Sequence, residues 1–242
     1  MESSVDTNLN LHAVLGISMG DEGKGRVVHE ILEQTYNATG MEPFGVVKVN
    51  GGANAGHTAA GLKLNLLPSG VGNPKVKKLI IASGVVADPR KFLWEAIPLE
   101  EKGISVFSRL QIDQKTQLSD ITHRLLDLAW ENYRTNILGM QKRGSTGRGI
   151  SPAYCDETGQ WQIFYHAFNE KREFFQDSLK GRVNRAMNTI KHVCQISEED
   201  WHEFFEELSN AEKKANSDAI EKGLFDNNEF DFSLFKGKDA FS

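Results

Sequence analysis

The sequence predicts an α/β protein with a mainly parallel sheet, phosphate-binding loops at the carboxyl edge of that sheet, and a helical subdomain. Three observations point there. Short apolar runs at residues 11–17, 45–49 and 78–82 alternate with stretches of helical periodicity, the pattern of successive strand–helix units. The first two runs lead into glycine-rich turns, at residues 20–25 and 50–58. From Asn169 to Lys222 the chain is charged and nearly free of glycine and proline, with apolar side chains at helical intervals.

Taken in order, residues 1–10 are polar and expected to fray. The run Leu11-His12-Ala13-Val14-Leu15-Gly16-Ile17 reads as a buried strand. Val27, Val28, Ile31 and Leu32 then repeat at helical spacing, so the order is strand, glycine-rich turn, helix. Residues 45–49 and 78–82 supply the second and third strands. Pro89 sits early in a helix over residues 90–101, and Gly103 stops it. Residues 104–112 return to the sheet, and Ile121, Leu125, Leu128 and Ala129 mark one face of a helix running to about Tyr133. After Gly149 the texture turns helical, and residues 226–242 form a phenylalanine-rich tail. No internal repeat is visible. The expected division is a frayed 1–10, an α/β core at 11–154, and a mainly helical subdomain and tail at 155–242.

Composition narrows the functions. A chain of 242 residues suits one large α/β domain, with or without a helical appendage. A net charge of −5 supplies no basic field for nucleic acid, but leaves room for a local cationic pocket. No apolar run approaches the roughly 20 residues of a membrane helix. The first residues lack the positive and apolar regions of a secretory signal. A cytoplasmic protein is expected, with neither nucleic acid nor membrane as partner. Cys155 and Cys194 show neither metal-ligand spacing nor a disulfide framework and read as reduced thiols. Trp94, Trp130, Trp161 and Trp201 read as packing residues, and Glu198-Glu199-Asp200 as a solvated helix start.

The turn Gly20-Asp21-Glu22-Gly23-Lys24-Gly25, followed by Arg26, has the chemistry of a phosphate cradle. Glycines adopt positive φ and bring backbone N–H groups close to a ligand. The helix that follows offers unpaired N–H groups and a partial positive charge, and Lys24 adds a full one. The acidic pair Asp21-Glu22 repels phosphate unless a metal bridges them or a carboxylate serves as a base. By itself such a loop is also an ordinary acidic helix cap. The second turn, Asn50-Gly51-Gly52-Ala53-Asn54-Ala55-Gly56-His57-Thr58, changes the balance. Turns after consecutive parallel strands gather at one sheet edge, which places Asp21 and His57 in one cleft.

Five motifs in order carry a resemblance. Gly20-Asp21-Glu22-Gly23-Lys24-Gly25, Asn54-Ala55-Gly56-His57-Thr58, Leu67-Pro68-Ser69-Gly70, Gly84-Val85-Val86 and Gly144-Ser145-Thr146-Gly147-Arg148-Gly149-Ile150-Ser151-Pro152-Ala153-Tyr154 look like the successive signatures of adenylosuccinate synthetase. The resemblance covers about residues 11–154 and is thin beyond. It implies a GTP-dependent ligase of purine nucleotide biosynthesis that joins IMP to aspartate through a 6-phosphoryl-IMP intermediate, with Mg²⁺. It further implies that Asp21 removes the purine N1 proton and ligates Mg²⁺ together with the Gly56 carbonyl, and that His57 is the acid partner. Nucleotide contacts implied are Gly20, Asp21, Glu22, Gly23, Lys24, Gly25, Arg26, Asn54, Ala55, Gly56, His57, Thr58, Thr146 and Arg148.

The sequence also departs from the family. A guanine-reading strand end and an arginine-rich aspartate loop are not found, so an incomplete synthetase is expected. Cys155-Asp156-Glu157-Thr158-Gly159-Gln160-Trp161-Gln162 holds no basic residue where the family places an arginine that reaches the partner subunit. Met19 replaces an aromatic residue and Ala53 a histidine. Expected partners are IMP, GTP and aspartate, with a homodimer or a complementing polypeptide. The alternatives are a truncated, non-catalytic nucleotide-binding module, or a 2-aminoadenylosuccinate synthetase acting on dGMP. Retention of Asp21 favours IMP over dGMP.

Overall fold

A computed structural model describes residues 11–18, 20, 22–215, 217–221 and 223. The expected frayed segment 1–10, Met19, Asp21 and the tail 226–242 lie outside the described residues.

A parallel sheet forms the frame. Strands β1 (Gly45–Lys48), β4 (Lys78–Ile81) and β6 (Leu110–Ile112) lie in the order β1-β4-β6, with Val46 opposite Leu79 and Leu79 opposite Leu110. Beyond a turn in each chain the pairing resumes as β5 (Val86–Ala87) with β7 (Gln117–Leu118), again parallel. A parallel bridge between Gly51 and Val85 carries the β1 side along with it. Alternate residues share a face, so Val46, Leu79 and Leu110 point the same way as Lys48, Ile81 and Ile112. That face packs on Leu66, Leu67, Val71, Val76, Phe92 and Ala96, with Leu79 and Ile81 fully buried.

Helix α2 (Pro89–Glu101) starts where the sequence places it. Asp88 caps it by accepting the Arg90 N–H at 3.0 Å, and Pro89 occupies the first turn, where a missing N–H costs nothing. Helix α3 (Ile121–Asn132) starts at a reciprocal cap between Asp120 and His123. The second core joins α3 to α5 (Arg172–Asn188) and α6 (Glu198–Ala215) through Leu125, Ala129, Ile190, Trp201, Phe204, Phe205 and Leu208. Helix α4 (Ile150–Thr158) lies between α3 and β5. Among the described residues from 169 on, the expected helices are present, and their layer takes in α3 from the earlier stretch.

Four expectations need correction. Residues 11–17 form no strand: Leu11, Leu15 and Ile17 are 82–103% exposed. An apolar run becomes a strand only with a ladder partner and a layer to pack on, and this one has neither among the described residues. Residues 104–112 are strand only at Leu110–Ile112, because Val106, Phe107 and Arg109 are taken up by turns around the Glu100 carboxylate and the Val106 carbonyl. The second glycine-rich turn leads into an antiparallel hairpin that periodicity did not reveal, β2 (His57–Ala59) with β3 (Leu62–Leu64). Ala60 and Gly61, both at positive φ, make its turn. Trp161 is exposed and stacks on the Arg185 guanidinium rather than joining a core.

Candidate active site

Helix α1 (Lys24–Thr39) follows Gly23, whose φ of 75° is left-handed and open to glycine at little cost. Ahead of it the Glu22 carboxylate gathers the first loop, accepting from Ser18 N, Ser18 Oγ and, at 2.5 Å, Lys24 Nζ. Those contacts, the Lys24 ammonium first, hold the Glu22 carboxyl at about 2. Lys24 is half-exposed, and Arg26, further round the helix, pairs with Glu30 at 3.3 Å on the surface. Gly20 sits at φ 128°. Asp21, expected as base and metal ligand, lies outside the described residues.

The first turn of α1 rests on the second loop. A methyl group at buried Gly25 would stand 3.0 Å from His57 Cδ2 and 3.1 Å from the Thr58 carbonyl oxygen. The His57 imidazole is held from the other side, its Nδ1 2.9 Å from the Ala55 carbonyl. A carbonyl only accepts, so Nδ1 carries the proton. Nε2 is buried and without a hydrogen-bond partner among the described residues. Burial lowers the His57 pKa below the ordinary 6.5, the Ala55 carbonyl opposes this, and Lys48 lowers it further against Glu95. The Lys48 ammonium donates to the Asn65 carbonyl at 3.1 Å, beside Leu64, the cross-strand partner of His57. Glu95, on α2, accepts the N–H groups of Leu66 and Leu67. Asn54, Gly56 and Thr58 are exposed around this ring, and Ala55 is half-buried.

Tyr154, on α4, ties the loops that leave the sheet. Its hydroxyl accepts the Gly51 N–H at 3.1 Å and donates to the Gly84 carbonyl at 3.1 Å. Gly84 itself passes so close to β1 that a Cβ would lie 2.5 Å from the Val49 oxygen. Gly25 and Gly84, in the first and fourth motifs, are thus needed for packing.

The third loop, residues 144–149, runs along α3. Glu131 accepts the Gly144 N–H at 2.9 Å, Arg124 Nε donates to the Gly147 carbonyl at 3.0 Å, and Asp127 accepts the Gly149 N–H at 3.0 Å. Positions 124, 127 and 131 share one helix face. Thr146 is exposed at the loop crest, while Arg148 Nη1 turns inward and donates to Glu212 at 2.7 Å. The structure thus brings the first two loops into contact and binds the third to α3.

A family model described as adenylosuccinate synthetase matches residues 13–231. This chain belongs to the adenylosuccinate synthetase family. The adenylosuccinate synthetase of Phocaeicola vulgatus is 35% identical over 208 residues, which are 83% of this chain and 46% of that protein. That of Bacteroides fragilis is 34% identical over 229 residues, 90% of this chain and 50% of the relative. A solved structure of fully ligated adenylosuccinate synthetase from Plasmodium falciparum matches with a TM-score of 0.52 at 23% identity, over 77% of this chain and 42% of the other, and shows the same fold. The chain spans about half the length of the curated relatives it matches. Family membership implies a ligase. No helix among the described residues is long and apolar enough to cross a membrane.

Sequence reasoning assigned no role to Lys48, Glu95, Asp127, Tyr154 or Glu212. For Asp127 a signal existed, since Arg124, Asp127 and Glu131 recur at helical spacing and stand out as one polar face. Glu212 lies 64 residues from its partner Arg148, and no local pattern marks it.

Proposed function

We propose that this chain carries the nucleotide-binding and phosphoryl-transfer half of a GTP-dependent C–N ligase joining IMP to aspartate. The observation that carries the reading is the close approach of Gly25 to His57, which sets a phosphate-type loop beside a half-buried imidazole whose Nε2 is buried and unengaged among the described residues. In this reading Asp21 takes the purine N1 proton, O6 attacks the γ-phosphorus of GTP, and GDP leaves. The amine of aspartate then displaces phosphate from C6, giving adenylosuccinate.

His57 supplies the acid. The ligand-free imidazole holds its proton on Nδ1, and burial disfavours a second one. An anionic phosphoryl group arriving beside Nε2 favours the imidazolium, so Nε2–H forms where charge accumulates on O6 and the transferring group. Lys24, Arg26 and the N–H groups of Gly20, Glu22, Gly23 and Gly25 hold phosphate oxygens. To do so Lys24 exchanges its bond to Glu22 for one to the ligand. Asn54, Ala55, Thr58, Thr146 and Arg148 serve the nucleotide monophosphate.

Among the described residues no group of three or more His, Cys, Asp or Glu side chains is placed to hold a metal. One carboxylate and one backbone carbonyl, with phosphate oxygens and water completing the shell, is a donor set that Mg²⁺ accepts. Asp21 and the Gly56 carbonyl would hold it, and it would neutralise charge on the phosphates.

The guanine-reading and aspartate-binding elements of the family are not legible in this sequence, and holding both reactants in line is worth many orders of magnitude in rate. The isolated chain should therefore form little adenylosuccinate from IMP, aspartate, GTP and Mg²⁺. With a polypeptide supplying the second half of the family fold, the absorbance rise of adenylosuccinate formation should appear, and Asp21→Ala should abolish it. Robust turnover by the chain alone, or turnover indifferent to Asp21→Ala, would overturn this division of labour.

A further inference from the structure

Glu212 is the residue that joins the helical layer to the third glycine loop. It is carried by α6, and its residue exposure is 0%. Arg124 Nη1 and Arg148 Nη1 both donate to its Oε1, the second at 2.7 Å. Arg124 is buried too, and its Nε holds the Gly147 carbonyl. One buried carboxylate thus fixes two guanidinium groups, one of them part of the loop and the other bonded to the loop backbone.

The surroundings leave little slack. Ala53 of the second loop, Asp88, Lys91 and Trp94 line a cavity of about 10 Å³ beside the three charged side chains. On the far side Gly149 is pressed against α3, where a Cβ would meet Arg124 N at 2.7 Å. A buried arginine without its carboxylate is an uncompensated charge in a medium that solvates it poorly. Each guanidinium is therefore held to one place, and the loop is held with it.

We propose that Glu212 is a positioning residue for the loop over residues 144–149, fixing Arg124 and Arg148 so that Thr146 meets the nucleotide in one geometry. This rests on the reading of that loop as a contact for the nucleotide monophosphate. The helical segment then does more than bury apolar surface: it supplies the counter-charge that shapes a loop of the site.

The test uses the full chain, with backbone hydrogen exchange at Gly147 and Gly149 read against Leu79 and Ala82 in the sheet, and with IMP titrated by calorimetry. Glu212→Gln keeps the shape and removes the charge; it should speed exchange at the two glycines about tenfold, leave the sheet amides unchanged, and weaken IMP binding about tenfold. If that variant does not fold, Glu212→Gln with Arg148→Met removes the more exposed of the two stranded cations. The double variant is read by exchange alone, because Arg148 is itself a proposed nucleotide contact, and it should show the same selective loosening. Unchanged loop exchange, acceleration shared equally by Leu79 and Ala82, or a loosened loop with undiminished IMP affinity would each overturn the proposal. Should the wild-type chain bind no IMP, the reading of the loop as a nucleotide contact fails by itself, and exchange alone decides whether Glu212 sets the loop.

Discussion

Gly25 approaches His57 so closely that a methyl group on it would stand 3.0 Å from the imidazole Cδ2, leaving no room for one without a shift. This close approach sets the spacing of the two glycine-rich loops. It also shields one side of the ring from water, and burial is the largest influence on its titration.

The His57 imidazole should titrate below the ordinary 6.5, followed by its ring resonances in NMR. Lys48→Met should raise the midpoint, because the Lys48 charge opposes protonation. The sign for stability follows from linkage. Below pH 6.5 the unfolded chain binds this proton before the folded chain does, so stability falls as pH drops through 6.5 toward the folded value and levels off beneath it. A midpoint at 6.5 would show that the ring is solvated, and one above it that a carboxylate outweighs burial.

Tyr154→Phe should destabilise the chain by about 1–3 kcal/mol, because it leaves the Gly51 N–H and the Gly84 carbonyl without their hydroxyl partner. Denaturant midpoints at constant slope measure this. A loss within error would mean that both groups reach water.

Much of this fold was legible because its signals are local. Pro89 and Gly103 announce α2, and the apolar spacing from Ile121 to Ala129 announces α3. The run at residues 11–17 misled because apolar content says nothing about whether a partner edge is within reach. The hairpin carrying His57 was hidden in the same way, since three-residue strands are too short to show alternation. At the site, the glycine motifs disclosed the loops and His57. The residues that hold them, Tyr154 and Glu212, act across 70 and 64 residues of chain, and such pairings emerge only from packing.

Gly149→Ala should be more damaging than an ordinary surface change. The residue sits at φ 72°, and its Cβ would stand 2.7 Å from the backbone nitrogen of Arg124, which no side-chain rotation relieves. A loss of about 1–3 kcal/mol from overpacking is expected, with left-handed strain added to it. Thermal unfolding of the two proteins compares them. An equal midpoint would mean that the loop can leave α3 freely.

The central claim is that the loop before α1 holds nucleotide phosphate, and calorimetric titration of GTP with Mg²⁺ into the wild-type and Lys24→Ala proteins tests it most directly. Among the described residues Lys24 pairs only with Glu22, and its own side chain is half-exposed, so its removal should change stability little. Binding should nonetheless weaken roughly ten- to a hundredfold, the worth of one charge-assisted contact at about 1.5–3 kcal/mol. Equal affinities in the two proteins would make Lys24 a surface residue and contradict the assignment of the loop.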